Sequence, residues 1–367
     1  MNTKKIRILG GLLVAALWLG LTAFAWFGAP EEMSEAERRK LAQFPELSAK
    51  TVFDGKFMTK FEDYSLDQFP LRDSFRQLKA VFSYKVLGQK DNNGIYVADG
   101  YAAKLEYPLN ESSVNDALKK FDKIYQKYLK GHNENIVFSV VPDKGYYLAE
   151  QNGYLAMDYD RLFEMAGTLS WAEYVDLTDT LTIKDYYRTD THWRQENLIP
   201  AAQKLASALG VEGPRREDFT PVALDRPFYG VYYGQAALPM ASETIFHMDS
   251  EVLQSAVVKN FETGKTGSVY DMEKAAGKDP YDLYLSGPAA ILEITNPMAE
   301  TDRELIVFRD SFGSSMTPLL VQDYAKVTLI DIRYVATDLL DRFVTFDGQD
   351  VLFLYSTLVL NSSSILK

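Results

Sequence analysis

The chain has 367 residues and a net charge of −12, with 47% hydrophobic and 25% charged residues. These values are typical of a globular protein of about two domains or one large one, which can bury a sizeable core without crosslinks. The absence of cysteine excludes disulfides and thiolate metal sites. An acidic chain without an extended basic patch predicts no nucleic-acid partner.

The N-terminus predicts a membrane-spanning helix. A short basic segment precedes the uncharged run Ile8–Gly28, which would be about 31 Å long as a helix, enough to cross a bilayer core. The positive flank predicts a cytoplasmic N-terminus and an extracytoplasmic C-terminal part. A cleaved signal peptide is the alternative, because Ala23-Phe24-Ala25 resembles a cleavage site, but the length of the run favours an uncleaved anchor. We therefore predict residues 1–30 to be a cytoplasmic tip and transmembrane anchor of a single-pass cell-membrane protein.

Residues 31–112 are predicted to form an N-terminal helical region. Aromatic residues recur at steps of three and four between Phe53 and Tyr64, as they would on one face of a helix. A second helix is predicted from about residue 71 to 87, and a short strand at 95–97. This pattern indicates a helical pair that packs on the domain that follows.

The first part of an α/β domain is predicted at 113–213. An amphipathic helix at 113–130 precedes the continuous apolar run Ile136–Val141, which is typical of a strand buried on both faces of a parallel sheet. Further predicted elements are a helix at 159–169, a strand at 173–177 and a helix at 196–209. The alternation of helices and strands indicates an α/β sheet.

Lys144 follows the predicted strand Ile136–Val141. It would lie at the C-terminal edge of the sheet, where α/β proteins place their binding sites. Lys144 is therefore a candidate for substrate binding. The alternative, which is the more common one, is a structural lysine that pairs with a nearby carboxylate.

The stretch Tyr186–Trp193 contains an Asp-x-His pair and one of the three histidines in the chain. Side chains two residues apart in an extended or tightly turned segment point the same way. Asp190 can then accept the Nδ1 proton of His192 and leave Nε2 free as a base, which is two-thirds of a Ser-His-Asp relay. The alternative is a surface histidine with an acidic neighbour by chance.

Residues 214–300 interrupt the α/β pattern and are predicted to be an insertion of loops and short strands. Proline, glycine and tyrosine cluster at 227–234. The tyrosines predict either a platform on which a sugar stacks or the filling of a small core. His247 has an apolar setting, typical of a packed histidine, and the three scattered histidines predict no metal site.

The second part of the α/β domain is predicted at 301–367. Ser311 follows the predicted strand Glu304–Phe308, at a strand-to-helix turn where N–H groups would face a developing oxyanion. Asp190 and His192 would lie at the same edge of the sheet, so Ser311 is predicted to complete the relay. The alternative is a purely structural helix N-cap. The other predicted elements are helices at 314–324 and 335–343 and strands at 326–330 and 351–355.

These motifs carry a resemblance to a known family. The chain resembles the DHHW family, which is similar to the SGNH-fold domains of alginate O-acetylation proteins, in Asp190-Thr191-His192-Trp193, Phe308-Arg309-Asp310-Ser311-Phe312-Gly313 and Asp331-Ile332-Arg333-Tyr334. Two upstream segments, Asp67–Arg72 and Val141–Lys144, look like that family as well. In ordinary SGNH hydrolases the serine block precedes the histidine block, whereas here the order is reversed.

The resemblance implies both a fold and an activity. The fold would be α/β: an SGNH-hydrolase-like parallel sheet flanked by helices, with permuted motif order. Ser311 would be the nucleophile, His192 the general base and Asp190 the residue that orients it. The activity would be extracytoplasmic transfer of an acyl group, usually acetyl, onto a polysaccharide. No cofactor is implied, and a membrane-bound O-acyltransferase often supplies the acyl group as a partner.

The chain departs from the family pattern at two positions. Thr191 replaces the first histidine of the family name, and Arg309 stands where many SGNH sequences have glycine. The glycine and asparagine oxyanion donors of simple SGNH hydrolases have no evident counterpart. The candidate substrate or oxyanion residues are Arg309, Arg333, Tyr334, Tyr355 and Lys144.

The leading hypothesis is therefore a membrane-anchored serine acyltransferase that acts outside the cytoplasm. A carbohydrate esterase would use the same residues with water as the acceptor. A catalytically silent glycan-binding or cell-envelope protein is the alternative of a different class, and its function would not depend on Ser311.

Overall fold

The computed structural model describes residues 3–34, 36–132 and 135–367. Within these residues the chain separates into two compact units. The first unit comprises the chain up to Asn92 together with Tyr233–Pro239, and the second comprises Asn93–Tyr232 and Met240–Lys367.

The first unit begins with helix α1, Thr3–Phe27. Its segment Lys5–Trp26 has a mean hydropathy of 2.1 and lies unburied, so α1 is long and apolar enough to cross a membrane, a criterion that a signal sequence also meets. The predicted apolar N-terminal helix is confirmed, while its role as an anchor stays a prediction. Met1 and Asn2 of the predicted cytoplasmic tip lie outside the described residues.

The rest of the first unit is a short hairpin and three helices: β1 Met33–Ser34, β2 Arg39–Lys40, α2 Ala49–Phe53, α3 Lys56–Asp67 and α4 Arg72–Lys85. The two helices predicted between 51 and 87 are thus present. Charged side chains tie the hairpin to the helices. Arg39 binds both oxygens of Asp67, at 2.7 and 2.6 Å, and Glu37 pairs with Arg72 at 2.5 Å and Arg76 at 3.1 Å.

The strands of the second unit alternate with short helices along the chain. The strands are β3 Ile95–Ala98, β4 Tyr101–Lys104, β5 Ile136–Val141, β6 Glu173–Tyr174, β7 Thr220–Ala223, β8 Phe246–Asp249, β9 Val257–Asn260, β10 Thr266–Gly267, β11 Ile291–Thr295, β12 Glu304–Arg309, β13 Lys326–Ile330 and β14 Asp350–Ser356. The helices are α5 Glu111–Ile124, α6 Lys144–Leu148, α7 Tyr159–Ala166, α8 Ile199–Ala208, α9 Val231–Ala236 (whose residues from Tyr233 onward belong to the first unit), α10 Glu251–Ser255, α11 Met272–Ala275, α12 Gly313–Met316 and α13 Thr357–Asn361.

The described residues of the second unit form an eight-stranded sheet in the order β10-β9-β11-β13-β12-β14-β5-β6. The five strands from β13 to β6 run parallel to one another. Strands β11, β9 and β10 extend one edge in antiparallel pairs. All parallel strands end at one edge, so the segments that follow β5, β12 and β14 come together there.

The central strands are buried on both faces, as their continuous apolar runs predict. In β12, Leu305 and Val307 belong to the core on one face, and Ile306 and Phe308 belong to the core on the other face. The two-residue alternation of a strand puts successive side chains into different cores. The predicted α/β arrangement of these strands is confirmed.

Several predicted elements are shorter or of another type than the pattern indicates. The helix predicted at 314–324 is α-helical only in α12 and continues as a 3-10 helix, Thr317–Asp323. Pro318 explains this change, because it has no N–H for an α-helical hydrogen bond. The helix predicted at 335–343 is a 3-10 helix, Thr337–Arg342, and helix α5 passes into a π-helix, Tyr125–Leu129.

The region 214–300 does more than interrupt the sheet. Its strands β9, β10 and β11 pair with one another and, through β11, with β13. The hairpin of β3 and β4, within the predicted N-terminal region 31–112, falls in the second unit. Short strands at a sheet edge have weak local patterns, so pairing across the sheet decides where they belong.

Candidate active site

Ser311, His192 and Asp190 form one chain of hydrogen bonds in the second unit. Ser311 Oγ lies 2.8 Å from His192 Nε2, and His192 Nδ1 lies 2.7 Å from Asp190 Oδ1. The distances fit a serine whose proton passes to an imidazole that a carboxylate orients. The structure thus brings together three residues that the sequence places at two distant points.

The turn that carries Ser311 is held by the residue before it. Asp310 is fully buried; its Oδ1 accepts from the N–H of Phe312 at 3.0 Å, and its Oδ2 accepts from the N–H of Ser356 at 2.8 Å. These two bonds hold the turn, whereas helix α12 begins at Gly313 without a side-chain cap. The hydroxyl of Ser311 bonds to His192 instead.

Asp190 and His192 lie in a series of bends between two bridged residues, Tyr186 and Trp193. Asp190 Oδ1 also accepts from the N–H of His192 at 3.1 Å, and its Oδ2 accepts from the N–H of Val231 at 2.8 Å. Because Asp190 is fully buried, these donors stabilise its charge and fix its orientation toward the imidazole.

Gly230 packs directly against Asp190. A Cβ atom at Gly230 would lie 2.3 Å from backbone and side-chain atoms of Asp190, which is an impossible contact. Gly230 also donates its N–H to Thr189 Oγ1 at 2.9 Å. Glycine is thus required here for close approach rather than for its backbone angles.

Glu243 supports the same segment from the other side. One of its oxygens accepts from the N–H of Arg188, and the other accepts from the N–H and the hydroxyl of Thr189, each at 2.8 Å. Neither Glu243 nor Gly230 is predicted from the sequence. The cluster of proline, glycine and tyrosine at 227–234 is a signal for Gly230, but the sequence has no comparable signal for Glu243.

Tyr281 holds the plane of the imidazole. Its ring stacks on His192 with the centroids 3.9 Å apart and the planes 8° apart. Its hydroxyl lies 2.8 Å from Ser315 Oγ, which also accepts from Trp193 Nε1 at 2.8 Å. Burial keeps the pKa of Tyr281 well above its usual range, so this tyrosine stays neutral and packs in the interior of the unit.

Lys144 contacts the backbone just before the Asp190–His192 segment. Its Nζ donates to the backbone carbonyls of Tyr187 at 2.9 Å and Arg188 at 3.3 Å. Burial lowers the pKa of Lys144 to about 7, although the charges of Asp190 and Glu243 oppose this shift. These contacts are of the kind that the structural alternative describes, with backbone carbonyls in place of a carboxylate, and the role of Lys144 in substrate binding stays a prediction.

Arg309 and Arg333 share the buried carboxylate of Asp331. Arg333 binds it closely, through Nε at 2.9 Å and Nη2 at 2.6 Å, while Arg309 Nη1 is 3.6 Å away. Burial lowers the pKa of Arg309. Burial also acts to lower the pKa of Arg333, but the bonds to Asp331 outweigh it and raise that pKa.

The buried side chain of Arg309 carries donor groups that have no partner among the described residues. It is 1% exposed, and its Nε and Nη2 have no hydrogen-bond partner among the described residues. The hydroxyl of buried Tyr355 has none in the described part of the chain either. Buried donors without partners are rare because they cost about 1–3 kcal/mol each. Tyr334, in contrast, is 45% exposed.

A metal centre has no support in the described residues, where no cluster of three or more histidine, aspartate or glutamate side chains could hold an ion. His247 is 9% exposed, its ring centroid lies 4.6 Å from that of Tyr270, and burial lowers its pKa. It is packed, as the sequence predicts.

The fold and the site together define an SGNH-like α/β protein with a hydrogen-bonded Ser-His-Asp arrangement at the carboxyl edge of its parallel sheet. No family model and no curated protein matches the chain. Solved structures do match it, and they confirm the predicted resemblance and fold class.

A DHHW family protein from Eubacterium siraeum superposes with a TM-score of 0.61 and 23% identity, over 75% of this chain and 95% of that one. Bacillus cereus PatB1 superposes with a TM-score of 0.56 and 18% identity, over 72% of this chain and 96% of that one. A second PatB1 structure, which carries a sulfonyl adduct, gives a TM-score of 0.55 and 17% identity over 72% and 97%.

Proposed function

We propose that the protein transfers an acyl group, with acetyl as the proposed group, to a hydroxyl of a cell-surface polysaccharide through Ser311. The observation that carries this proposal is the continuous chain of bonds from Ser311 Oγ through both nitrogens of His192 to buried Asp190. The resemblance to DHHW and alginate O-acetylation proteins, together with the shared fold, supports acetyl and polysaccharide as the two partners of the reaction.

The reaction would proceed in two halves. His192 Nε2 takes the proton of Ser311 as Oγ attacks the carbonyl carbon of the acyl donor, and Asp190 stabilises the imidazolium through Nδ1. The tetrahedral intermediate then collapses, the leaving group takes the proton from Nε2, and an acyl-Ser311 ester remains. A sugar hydroxyl next gives its proton to Nε2 and attacks that ester, and Ser311 Oγ departs with the proton from Nε2.

The oxyanion of each tetrahedral intermediate needs donors. The N–H of Phe312, next to the nucleophile, is already bonded to Asp310. Of the candidate residues, Arg309 and Tyr355 have buried donor groups without a partner in the described part of the chain, which supports them for this role. Arg333 is engaged with Asp331 and Tyr334 is exposed, so both fit this role less well, and Lys144 holds backbone carbonyls instead.

The proposed reaction would occur outside the cytoplasm. The apolar helix α1 supports a single-pass anchor, and secretion after signal cleavage is the other arrangement that such a helix allows. A membrane-bound O-acyltransferase would supply the acyl group from the membrane side, and a polysaccharide would accept it. No cofactor is required by the steps above.

The test is hydrolysis of 4-nitrophenyl acetate by the full chain in detergent, beside Ser311→Ala, His192→Ala and the control Ser364→Ala. Ser364 is an exposed serine near the C-terminus, so its loss should leave the rate unchanged. We expect each of the first two substitutions to lower kcat/KM by about 1,000-fold or more, because each removes a proton-transfer step.

A second measurement tests whether the acyl group passes to a glycan hydroxyl or to water. Trapping of acetyl-Ser311 by mass spectrometry, followed by transfer of the label to a glycan faster than to water, supports the transferase. Transfer to water alone identifies an esterase. Equal rates for the parent and both folded variants contradict a serine mechanism and favour the silent glycan-binding alternative.

A further inference from the structure

We propose that a cleft on the second unit binds the acceptor glycan and selects sugars that carry amino groups rather than carboxylates. This acceptor cleft has a volume of about 620 Å³ and is lined by residues that precede α5, by α6 and by the start of α7. A volume of this size is typical of sites that hold small organic groups. The role of the bound glycan as acceptor rests on the proposed function, whereas glycan binding can be measured whether or not the protein is a transferase.

Two exposed tyrosines line the acceptor cleft. Tyr107 is 56% exposed and Tyr146 is 37% exposed, although large aromatic rings are commonly buried. The ring of Tyr146 packs edge-on against Tyr147, Tyr159 and Phe163, which holds it in one orientation. A rigid exposed ring can stack on the C–H face of a sugar while its hydroxyl forms hydrogen bonds.

The acceptor cleft is acidic. Four carboxylates and one guanidinium line it: Glu111, Glu150, Asp158, Asp160 and Arg161. The Arg161 guanidinium is already paired, with Glu111 at 3.1 Å and Glu164 at 2.8 Å. The remaining negative charge would repel a polyuronate and attract a protonated amino sugar, whose hydroxyls can also donate to the carboxylates.

Hydrogen bonds connect the acceptor cleft to the turn that carries Ser311. Tyr159, which lines the cleft, donates to buried Asp143 at 3.0 Å. Thr357 donates to the same carboxylate at 2.7 Å. The residue before Thr357, Ser356, donates its N–H to Asp310, next to Ser311.

The order of strands in the sheet also relates the acceptor cleft to the Ser311 turn. Helix α6, which lines the acceptor cleft, follows β5, and β5 is two strands away from β12 in the sheet. Two strand spacings are about 10 Å, so the start of α6 and the Ser311 turn are separated by about that distance along the sheet edge, which a bound oligosaccharide of a few rings could span. The acceptor cleft and the Ser-His-Asp arrangement lie at the same edge of the sheet.

The experiment measures calorimetric binding of three probes to the full chain in detergent at low salt. The probes are tetramers of glucosamine, of N-acetylglucosamine and of galacturonate. We expect the affinity to fall in that order, with the galacturonate tetramer the weakest. Tyr146→Ala and Glu150→Gln should each lower the affinity for the glucosamine tetramer by about tenfold, because they remove a stacking surface and a charge.

The matched control is Phe343→Ala, which removes another aromatic ring that is 45% exposed, outside the acceptor cleft. Glu150 is exposed, so we expect Glu150→Gln to keep the parent's melting temperature. Tyr146→Ala loses its ring contacts and should melt somewhat lower, so binding is measured at a temperature at which every variant is folded. Equal affinity for the galacturonate and glucosamine tetramers, or an affinity unchanged by both cleft substitutions, would overturn the inference.

Ser311→Ala separates the two proposals. If the cleft inference holds, this variant binds the glucosamine tetramer as tightly as the parent does. If that variant also retains ester hydrolysis, the proposed function fails while the binding result still decides the cleft. If Tyr146→Ala and Glu150→Gln lose transfer activity but bind the glucosamine tetramer as the parent does, the cleft inference is overturned and the proposed function is not.

Discussion

The two halves of the candidate active site are held in different ways. The Ser311 turn follows a central strand of the sheet, and its neighbour Asp310 bonds to the next strand at Ser356. The Asp190–His192 segment is a series of bends, and contacts from Gly230, Glu243 and Tyr281 position it. The nucleophile therefore shares the stability of the sheet, whereas the base depends on residues far away in the sequence.

This difference predicts where the site is vulnerable. Substitutions that disturb the contacts of Gly230, Glu243 or Tyr281 with the Asp190–His192 segment should lower activity. The central parallel strands should stay folded, because they pack through their own two cores. Three substitutions test the contrast.

Gly230→Ala should have the largest effect. The added Cβ would lie 2.3 Å from Asp190, so Asp190 or the 230–231 backbone must move and the bond to His192 is lost or misaligned. We expect a decrease in kcat for ester hydrolysis of about 100-fold or more, since misplacement by about 1 Å can have such an effect.

The control for that substitution is Gly267→Ala in the edge strand β10. A Cβ atom at Gly267 would meet no atom within 4 Å, so activity should stay at the parent level. If the two alanine variants are equally active, close packing of Gly230 on Asp190 is not what orients the base.

Glu243→Gln should have an intermediate effect. An amide keeps one acceptor oxygen but turns an NH2 group toward a backbone N–H that now donates to Glu243. We expect kcat to fall about 10-fold or more, and the free energy of unfolding of the second unit to fall by about 1–3 kcal/mol, the cost of an unsatisfied buried group.

Glu300→Gln, at an exposed position, is the matched control and should change neither quantity. A loss of stability at Glu243 without a loss of kcat would show that this carboxylate supports the fold but does not position the base.

The sequence predicts the strand side of the site better than the support of the base. Buried strands such as β5 and β12 have continuous apolar runs, and a serine just after such a strand has a defined place at the sheet edge. Asp190 and His192 are adjacent enough for their bond to be predicted from spacing alone. These features depend on local order, which is why they can be inferred from short stretches.

The remaining features depend on contacts between distant parts of the chain. Glu243 accepts from Thr189, but an isolated glutamate in a loop has no pattern that predicts such a partner. Strand β11 joins the sheet through its pairing with β13, and its five residues alone do not distinguish an insertion from a sheet edge. The packing of Tyr281 on His192 likewise requires the tertiary fold.

Lys144→Met should have the smallest effect on activity, and its effect on the free energy of unfolding depends on pH. The pKa of Lys144 is about 7 in the folded protein, below its ordinary value of 10.5, because the side chain is buried. Between these two values the unfolded chain binds a proton that the folded chain has released, so raising the pH stabilises the folded state. The free energy of unfolding should rise by up to about 1.4 kcal/mol per pH unit within that window.

The measurement is urea unfolding of the parent and of Lys144→Met between pH 6 and pH 9, followed by tryptophan fluorescence, to which buried Trp193 contributes. Methionine cannot titrate, so the stability of the parent relative to the variant should be nearly constant below pH 7 and increase above it. A difference that does not change with pH would mean that Lys144 keeps its ordinary pKa. The carbonyls of Tyr187 and Arg188 would then be held by an ammonium group, and the Asp190–His192 segment would have a permanent positive charge beneath it.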